Sequence, residues 1–485
     1  MAVTKEKEAI IMKLYVFGIG GTGSRVLRAL TMLLASGVDC KADTIVPIII
    51  DPDDSAADKT RTVSAMQKYK AVRGKLGFTS KDKNRFFRTE LRSLAGMDTF
   101  CFSLKDTRDR KFREFIGLNE MSHANKAMAN MLFSKDNLDS DMKVGFKGNP
   151  NIGSVVLNQF DGSEDYASFS TDFTQGDRIF IISSIFGGTG ASGFPLLLKT
   201  FRSDRKSQSW NFVSSAKIGA VTVLPYFNLE HNDSSGVDSA SFISKTKSAL
   251  QYYQNNISAN GSIDQLYYIG DRLRNTYENH DGGSDQKNKA HLVEFCAALS
   301  ILNFAATGDD DFGTSTQHFE YGLEVDNDIN EVTFKELAKE TRHTVSEPMT
   351  QFLLMHKYLH RMQVNAAICQ PWAKDHSLDK NFFTGDFFGD VKKFLEFYTE
   401  WLSEMAENKR AFTPFNVNRE NPLFDMVNGY SPAKMKSLCR NYALMDSVLN
   451  RLWSDWNWAP GNEQQFIELF YRATKMVVDK KYNLK

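Results

Sequence analysis

The 485-residue chain has no excess of either charge, because Lys and Arg together number 59 and so do Asp and Glu. Without a net field, the composition gives no reason to expect binding to nucleic acid. The five cysteines form no CxxC pair, which argues against a disulfide framework or a zinc ribbon, and we expect no metal site built from side chains alone. No run of about 18 apolar residues occurs, so no membrane span is expected. These absences favour a globular protein of the cytoplasm.

Apolar, β-branched runs alternate with helical patterns over the first 308 residues. Continuous apolar strands that are separated by helices are typical of a parallel sheet covered on both faces, which predicts an α/β fold. The predicted strands are 13–19, 44–51, 97–104, 177–184, 216–227 and 263–271.

A long helix, apolar on nearly all sides, is expected at 288–308 and should be buried at the centre of the molecule. Beyond Gly308 an acidic, polar stretch leads into helical patterns at about 333–364, 388–409, 431–452 and 462–482, and no strand is expected there. The sequence therefore predicts a nucleotide-binding domain over 1–308 that includes the central helix, followed by a mainly helical domain over 309–485.

Two glycine-rich turns stand out, each leaving a predicted strand and entering a predicted helix. In the first, "GIGGTGS", the spacing fits a dinucleotide-type G-x-G-x-x-G fingerprint, and two carboxylates end the next strand, where such folds place a ribose-facing acid. Glycines let the backbone approach phosphate oxygens, and the hydroxyls add donors. The candidate residues are Gly18, Gly20, Gly21, Thr22, Gly23 and Ser24, with Asp51 and Asp53 after the second strand.

The second turn, "FGGTGASG", follows the strand at 177–184. Parallel strands deliver their turns to the same edge of the sheet, so both turns are expected to converge on one polyphosphate. Neither turn is followed by GKS or GKT, which argues against a Walker-type P-loop. The candidate residues are Gly187, Gly188, Thr189, Gly190, Ser192 and Gly193.

With these turns in this order, the chain resembles the tubulin/FtsZ superfamily over about residues 13–308, most nearly its divergent bacterial tubulin-like members. "FGGTGASG" corresponds to the family's signature loop, and "VTVLPYF" is similar to its VT-x-P-F segment. The resemblance implies a Rossmann-like GTPase domain that holds GTP or GDP with Mg²⁺ between the two turns. It also implies that Glu230 contacts the ribose and that Asn288, at the opening of the central helix, contacts the base edge.

In this family the loop after the central helix carries acidic residues to the nucleotide of the next subunit. Here that loop is "GDDDFG", which lacks the family's asparagine. The resemblance makes Asp309, Asp310 and Asp311 the candidate catalytic residues, orienting water or a metal-bound phosphate. A solvated acidic turn explains the same residues equally well. A homo-oligomer or filament is expected, with a protein partner on the helical C-terminal domain as a further expectation.

Two alternatives stay open. A nucleotide-binding scaffold that never hydrolyses its ligand is consistent with the missing asparagine and the helical C-terminal half. A Rossmann enzyme, either NAD-dependent or adenylating, would also use a G-x-G-G-x-G turn, although the second turn would then have no role.

Overall fold

The computed structural model describes residues 12–484 except 79–83, 98, 106, 108–109, 143–145, 147, 206, 208, 231–241, 279–282, 286, 321–322, 324–328, 375–377, 418–421, 435–440 and 455–460. In that part of the chain the strands are β1 (Lys13–Ile19), β2 (Thr44–Ile50), β3 (Glu90–Leu91), β4 (Arg178–Ser184), β5 (Lys217–Val223), β6 (Phe227–Leu229), β7 (Gln265–Ile269), β8 (Asn275–Tyr277), β9 (Gln317–Glu320), β10 (Glu331–Val332) and β11 (Ala411–Phe412).

The α-helices of the described residues vary from single turns to more than twenty residues. They are α1 (Gly20–Ala35), α2 (Ala57–Gly74), α3 (Phe112–Phe115), α4 (His123–Leu132), α5 (Lys135–Leu138), α6 (Pro150–Leu157), α7 (Glu164–Asp172), α8 (Gly188–Ser203), α9 (Trp210–Ser215), α10 (Phe242–Tyr253), α11 (Leu292–Ala306), α12 (Lys339–Arg361), α13 (Val364–Ala367), α14 (Pro371–Lys374), α15 (Lys380–Thr384), α16 (Asp386–Ala406), α17 (Tyr442–Ser454) and α18 (Asn462–Lys481). None of them combines the length and the apolar character that crossing a bilayer requires.

A seven-stranded sheet forms the middle of the molecule, in the order β3-β2-β1-β4-β5-β7-β9. All of its pairings are parallel. Its central strands β1, β2, β4 and β5 are buried along almost their whole length. The predicted α/β fold class, a parallel sheet with helices on both faces and a helical C-terminal part, is therefore confirmed.

The direction in which the chain builds the sheet reverses between β1 and β4. From β1 the chain steps outward to β2 and β3, and then returns to lay β4 on the other side of β1. Gly18 near the end of β1 pairs with Ile49 on one side and with Ile182 on the other. In open parallel sheets, the crevice above such a reversal point is where ligands bind.

The central helix was predicted to begin at Asn288, but α11 begins at Leu292. His291 is its N-cap: its Nδ1 accepts the Val293 N–H, and the Glu294 carboxylate accepts the His291 N–H. This capping box ends the non-helical backbone at 291, so Asn288 lies in the segment before the helix rather than in its first turn. The helix itself is buried except at Asn303 and Ala306 near its end, in agreement with the prediction.

The predicted third strand, 97–104, is wrong in extent. The edge strand β3 is the two-residue segment Glu90–Leu91, and the later segment contributes only an isolated bridge between Cys101 and Ile49. On either side of that bridge, the Ile49 N–H donates to the Phe100 carbonyl and the Phe102 N–H donates to the Ile49 carbonyl. An edge segment pairs on one side only, so its apolar pattern carries less information about strand length.

The expectation of no strand after Gly308 is also wrong. β9 joins the main sheet beside β7, and β10 pairs with β11 in a separate two-stranded sheet. These strands are only two to four residues long, too short for a period-2 pattern to be visible in the sequence. The domain boundary at 308 stays a prediction, although the sheet takes its last strand from beyond it.

The C-terminal helices pack on the outer side of α2 and around an aromatic core. Phe352 of α12 contacts Tyr398 of α16 edge-to-face, with ring centroids 4.9 Å apart, and Phe87 contacts both Phe352 and Phe394. Because these rings come from distant parts of the chain, the helical C-terminal part and the sheet share one continuous core.

Gly23 is required by backbone packing rather than by conformation. A Cβ atom at Gly23 would lie 2.4 Å from the Gly18 carbonyl carbon, closer than any real contact. We expect Gly23→Ala to lower the free energy of unfolding by about 2 kcal/mol or more, since the clash is with backbone that cannot rotate away.

Gly74 at the end of α2 is the matched control, because a Cβ there would meet nothing within 4 Å. Gly74→Ala should be neutral or stabilising by up to about 1 kcal/mol. Urea denaturation of both variants measures the difference. Equal effects of the two substitutions would contradict the close approach of β1 and α1.

Candidate functional site

The first glycine turn leads directly from β1 into α1. The N-cap is Ile19, whose side chain cannot accept a hydrogen bond, and no other side chain caps the helix. Gly20 has φ +69°, a value that non-glycine residues rarely adopt. The N–H groups of Gly20, Gly21 and Thr22 find no acceptor among the described residues. They form a set of free donors at the positive end of a helix dipole.

The second glycine turn repeats this arrangement between β4 and α8. Gly187 is the N-cap and again no side chain caps the helix. The Ala191 N–H donates to the Gly187 carbonyl at 3.2 Å. The N–H groups of Gly188, Thr189 and Gly190 have no hydrogen-bond acceptor in the described part of the chain. The Ser192 hydroxyl donates to the Gly188 carbonyl at 2.7 Å, and its predicted ligand role stays a prediction.

The two turns meet above the reversal point of the sheet. β1 and β4 are neighbours, and they pair as far as Gly18 and Ile182, close to the end of each strand. A Cβ atom at Gly20 would lie 3.4 Å from the Thr189 Cβ, so the turns are in van der Waals contact. Two helix N-termini with free N–H groups thus open at the same place, which is the geometry that binds an anion.

Several of the predicted glycines are explained by packing. Added Cβ atoms would approach within 3 Å of Leu27 at Gly18, of the Ser184 backbone at Gly190, and of Ile19 at Gly193. Ser24 is fully buried in α1, and its hydroxyl has no partner in the described residues. Cβ atoms at Gly187 and Gly188 would likewise approach within 3 Å of Ser184 and Asn149, so the close packing extends through the second turn. At Gly20 and Gly21 an added Cβ would meet nothing closer than 3.4 Å, so the first turn is the more open of the two.

A buried charge cluster lies directly beneath the first turn, and its centre is Arg25 of α1. The guanidinium pairs with Asp58 of α2 and Glu294 of α11, and donates to the hydroxyls of Thr22 at 3.3 Å and Tyr226 at 2.9 Å. Tyr226 in turn donates to Glu294 at 2.6 Å. Burial alone would lower the pKa of Arg25, but Tyr226 and the two carboxylates raise it well above its ordinary value, so the residue stays charged.

The cluster continues from α2 to the C-terminal helix α16. Arg61 pairs with Asp58 at 2.9 Å and with Glu404 at 2.5 Å, and it donates to the Asn288 carbonyl at 2.7 Å. Arg28 pairs with the other oxygen of Glu404 at 2.7 Å. Three arginines thus face three carboxylates, so the formal charges within this cluster balance.

The two acidic residues after β2 have separate roles. Asp53 accepts hydrogen bonds from Ser55 and from the Gly283 N–H, and so ties the turn after β2 to the segment before the central helix. The Asp51 carboxylate accepts the Asp53 N–H, its backbone carbonyl accepts from Lys59, and burial raises the pKa of the carboxyl to about 7. It lines a cavity of about 600 Å³ together with Lys59 and Ser103, and no described residue of either glycine turn lines that cavity.

The predicted nucleoside contacts are placed differently. Glu230 follows β6 and is exposed, with its N–H bound to the Tyr277 carbonyl at 2.9 Å. Asn288 is half-buried, and its backbone is held from both sides: its N–H donates to Asp58 at 3.1 Å and its carbonyl accepts from Arg61. The Asn288 side-chain amide makes no hydrogen bond to another described residue and is available to a ligand.

The predicted catalytic residues lie at the opposite edge of the sheet. Asp309, Asp310 and Asp311 form an exposed 3₁₀ turn after α11, and Asp309 pairs at 2.7 Å with Arg178, the first residue of β4. The second glycine turn follows the far end of that strand, about 20 Å away at 3.3 Å per residue. The acidic turn therefore cannot reach the glycine turns of its own chain. Within the described residues, no cluster of three or more acidic, His or Cys side chains is arranged to hold a metal ion.

The sequence predicted the turns but not the charge cluster beneath them. Arg25, Asp58, Arg61 and Glu404 were not singled out, because Arg25 lies 33 residues from Asp58 and Arg61 lies 343 residues from Glu404. A charged residue inside an apolar helix such as α1 is the one signal that was visible. His291 and Glu294, which cap the central helix, are both buried and hydrogen-bonded to each other.

No protein-family model matches the chain, and no curated protein matches it either. Solved structures that are similar to it include CetZ2 from Haloferax volcanii, a GTPγS-bound protofilament, at 14% identity and a TM-score of 0.29. CetZ from Methanosaeta thermophila is similar at 13% identity and a TM-score of 0.28. Each match covers 61% of this chain, and the chain spans 60% and 52% of the length of these neighbours. Both neighbours are tubulin/FtsZ-family proteins, the family that the sequence resembles.

The raised pKa of Asp51 makes stability depend on pH. Because the unfolded carboxyl titrates near 3.8 and the folded one near 7, folding takes up a proton between these values, and the stability that this supplies is lost as the pH rises through 7. We expect Asp51→Asn to gain stability relative to the wild type between pH 4 and pH 8, by at most about 4 kcal/mol. Urea denaturation across this range measures the difference, and parallel curves for the two proteins would contradict it.

Proposed function

We propose that this chain binds GTP or GDP with the phosphates at the meeting point of its two glycine turns. The observation that carries the proposal is the contact of Gly20 with Thr189, which joins two uncapped helix N-termini at the reversal point of the sheet. Free N–H groups from both helices surround one position, and their dipoles add there. A polyphosphate is the ligand whose charge and length match two such termini.

For the nucleoside, the proposal uses the side chains that the resemblance indicated. Asn288 presents an unbound amide, which can both donate to and accept from a purine edge. Glu230 is an exposed carboxylate directly after β6, where it can accept from ribose hydroxyls. Mg²⁺ would be held mainly by phosphate oxygens and water, with at most one or two protein carboxylates, since that is how Mg²⁺ usually accompanies nucleotides.

Hydrolysis, in this proposal, occurs only where two copies of the chain meet. The acidic turn and the glycine turns lie at opposite edges of one sheet, so a head-to-tail contact brings Asp310 and Asp311 of one copy to the phosphates of the next. Such a contact is heterologous and repeats into a filament unless it closes into a ring. Asp309 is the least suited of the three, because Arg178 of its own chain holds it. A chain that binds GTP and never hydrolyses it remains the alternative function.

Thr189→Asp tests the phosphate site without disturbing the fold. Thr189 is the second residue of α8 and half-buried, and a carboxylate there would occupy the free N–H groups while complementing the helix dipole. We expect GTP affinity to fall at least about 10-fold while the thermal midpoint is unchanged or higher. Titration with fluorescent GTP and a thermal melt measure the two quantities.

The control for this substitution is Thr189→Ser, which keeps the hydroxyl and adds no charge. It should bind GTP within about twofold of the wild type. Equal GTP binding by the Asp variant would exclude the two turns as the phosphate site, and a wild type that prefers NAD to GTP would revive the Rossmann-enzyme alternative.

Complementation tests hydrolysis between copies. The Thr189→Asp variant keeps the acidic turn, and an Asp310→Ala, Asp311→Ala double variant keeps the nucleotide site. Each alone should release no phosphate, whereas an equal mixture should recover about a quarter of the wild-type rate, since one random head-to-tail contact in four pairs the two intact halves. A mixture that stays inactive beside an active wild type would contradict catalysis between copies, and an inactive wild type would favour the non-hydrolysing alternative.

A further inference from the structure

The segment before the central helix is held by side chains rather than by secondary structure. Residues 287–291 belong to no helix or strand. Within them, the Asn288 N–H donates to Asp58 Oδ1 at 3.1 Å, and the Asn288 carbonyl accepts from Arg61 Nη2 at 2.7 Å. Both backbone groups of Asn288 are therefore occupied, while its side-chain amide binds no other described residue.

The two residues that hold Asn288 are themselves fixed. The Asp58 side chain is 1% exposed, and its second oxygen pairs with Arg25, which also reaches Thr22 in the first glycine turn. The second terminal nitrogen of Arg61 pairs with Glu404 of α16. A continuous series of contacts thus runs from the first glycine turn through Arg25 and Asp58 to Asn288. Arg61 connects this series to Glu404 of α16.

From this geometry we propose that Arg61 is a positioning residue for base recognition. It holds the Asn288 backbone at a fixed place relative to the first glycine turn, so that the amide meets the base of a nucleotide whose phosphates lie in the turns. The inference rests on the proposed function. It assigns to Arg61 an effect on the nucleoside part of the ligand and none on the phosphate part.

Arg61 is expected to affect only the nucleoside part because, among the described residues, its guanidinium hydrogen-bonds to Asn288 and to no residue of the glycine turns. Removing its guanidinium leaves the first turn supported by Arg25, while the Asn288 carbonyl loses its donor and the segment gains freedom. A hydrogen bond from a side chain that is no longer held in place contributes less, because it must first be ordered.

Arg28 provides the matched control. It pairs with Glu404 as Arg61 does, at 2.7 Å through the other carboxylate oxygen, and is equally part of the buried cluster. It contacts neither Asn288 nor Asp58. Arg28→Gln and Arg61→Gln therefore each break an ion pair with the same carboxylate, whereas only Arg61→Gln also removes the contacts to Asp58 and to Asn288.

The test measures the affinities of GTP and inorganic tripolyphosphate for the wild type and for both Gln variants, with circular dichroism to confirm folding. We expect Arg61→Gln to weaken GTP binding about 3- to 10-fold, the loss of roughly one hydrogen bond, and to change tripolyphosphate binding less than about twofold. Arg28→Gln should leave the ratio of the two affinities unchanged. Arg61→Lys keeps the charge toward Glu404 but cannot span to both Asp58 and Asn288, so it should also lower the ratio.

A double-mutant cycle with Asn288→Ala separates positioning from general loosening. If Arg61 acts through Asn288, adding Arg61→Gln to Asn288→Ala should produce no further loss of GTP affinity. Additive effects, an equal loss for both ligands, or the same ratio change in Arg28→Gln would overturn the inference while leaving GTP binding in place. A wild type that binds tripolyphosphate but not GTP would overturn the proposed function and this inference with it.

Discussion

The candidate site depends on one topological constraint, the reversal of the sheet between β1 and β4. Because all strands of the main sheet are parallel, every strand-to-helix turn emerges at the same edge, and the reversal places the turn after β1 beside the turn after β4. The glycines follow from that constraint. α1 and α8 begin so close to their strands that side chains at Gly18, Gly23 and Gly190 would collide with neighbouring atoms. The site is therefore a consequence of how tightly two βα units are packed.

Beneath this edge, charge replaces apolar packing. Arg25, Arg28 and Arg61 are compensated by Asp58, Glu294 and Glu404, and the six residues together come from four different helices. Removing charges from water is unfavourable, and such pairs contribute little net stability, so their effect is on geometry rather than on stability. Each guanidinium has several fixed donors and can join several elements at defined angles. The cluster sets the relative position of the first glycine turn, the segment before α11 and the C-terminal helix α16.

The acidic turn at 309–311 shows how position limits function. Its residues have the chemistry to orient water, yet the length of β4 separates them from the glycine turns of the same chain. A role in hydrolysis therefore requires a second copy, and otherwise the turn is a solvated end of α11 that Arg178 partly neutralises. The order of elements in one chain is compatible with a role in hydrolysis between copies and with a solvated helix end.

The sequence by itself determined the parallel α/β class, the two glycine turns, their convergence at one sheet edge and the buried central helix, because apolar periodicity and glycine spacing are local properties. It was less informative about short edge strands: β3, β9 and β10 have two to four residues, too few for a pattern. Only the tertiary structure decided where α11 begins, which glycines serve packing, and that Asp51 faces a separate cavity. It alone revealed the cluster around Arg25 and Arg61, because partners up to 376 residues apart leave no local signal in the chain. Those contacts exist only once the helices have packed, and for that reason their geometry could not be predicted from spacing.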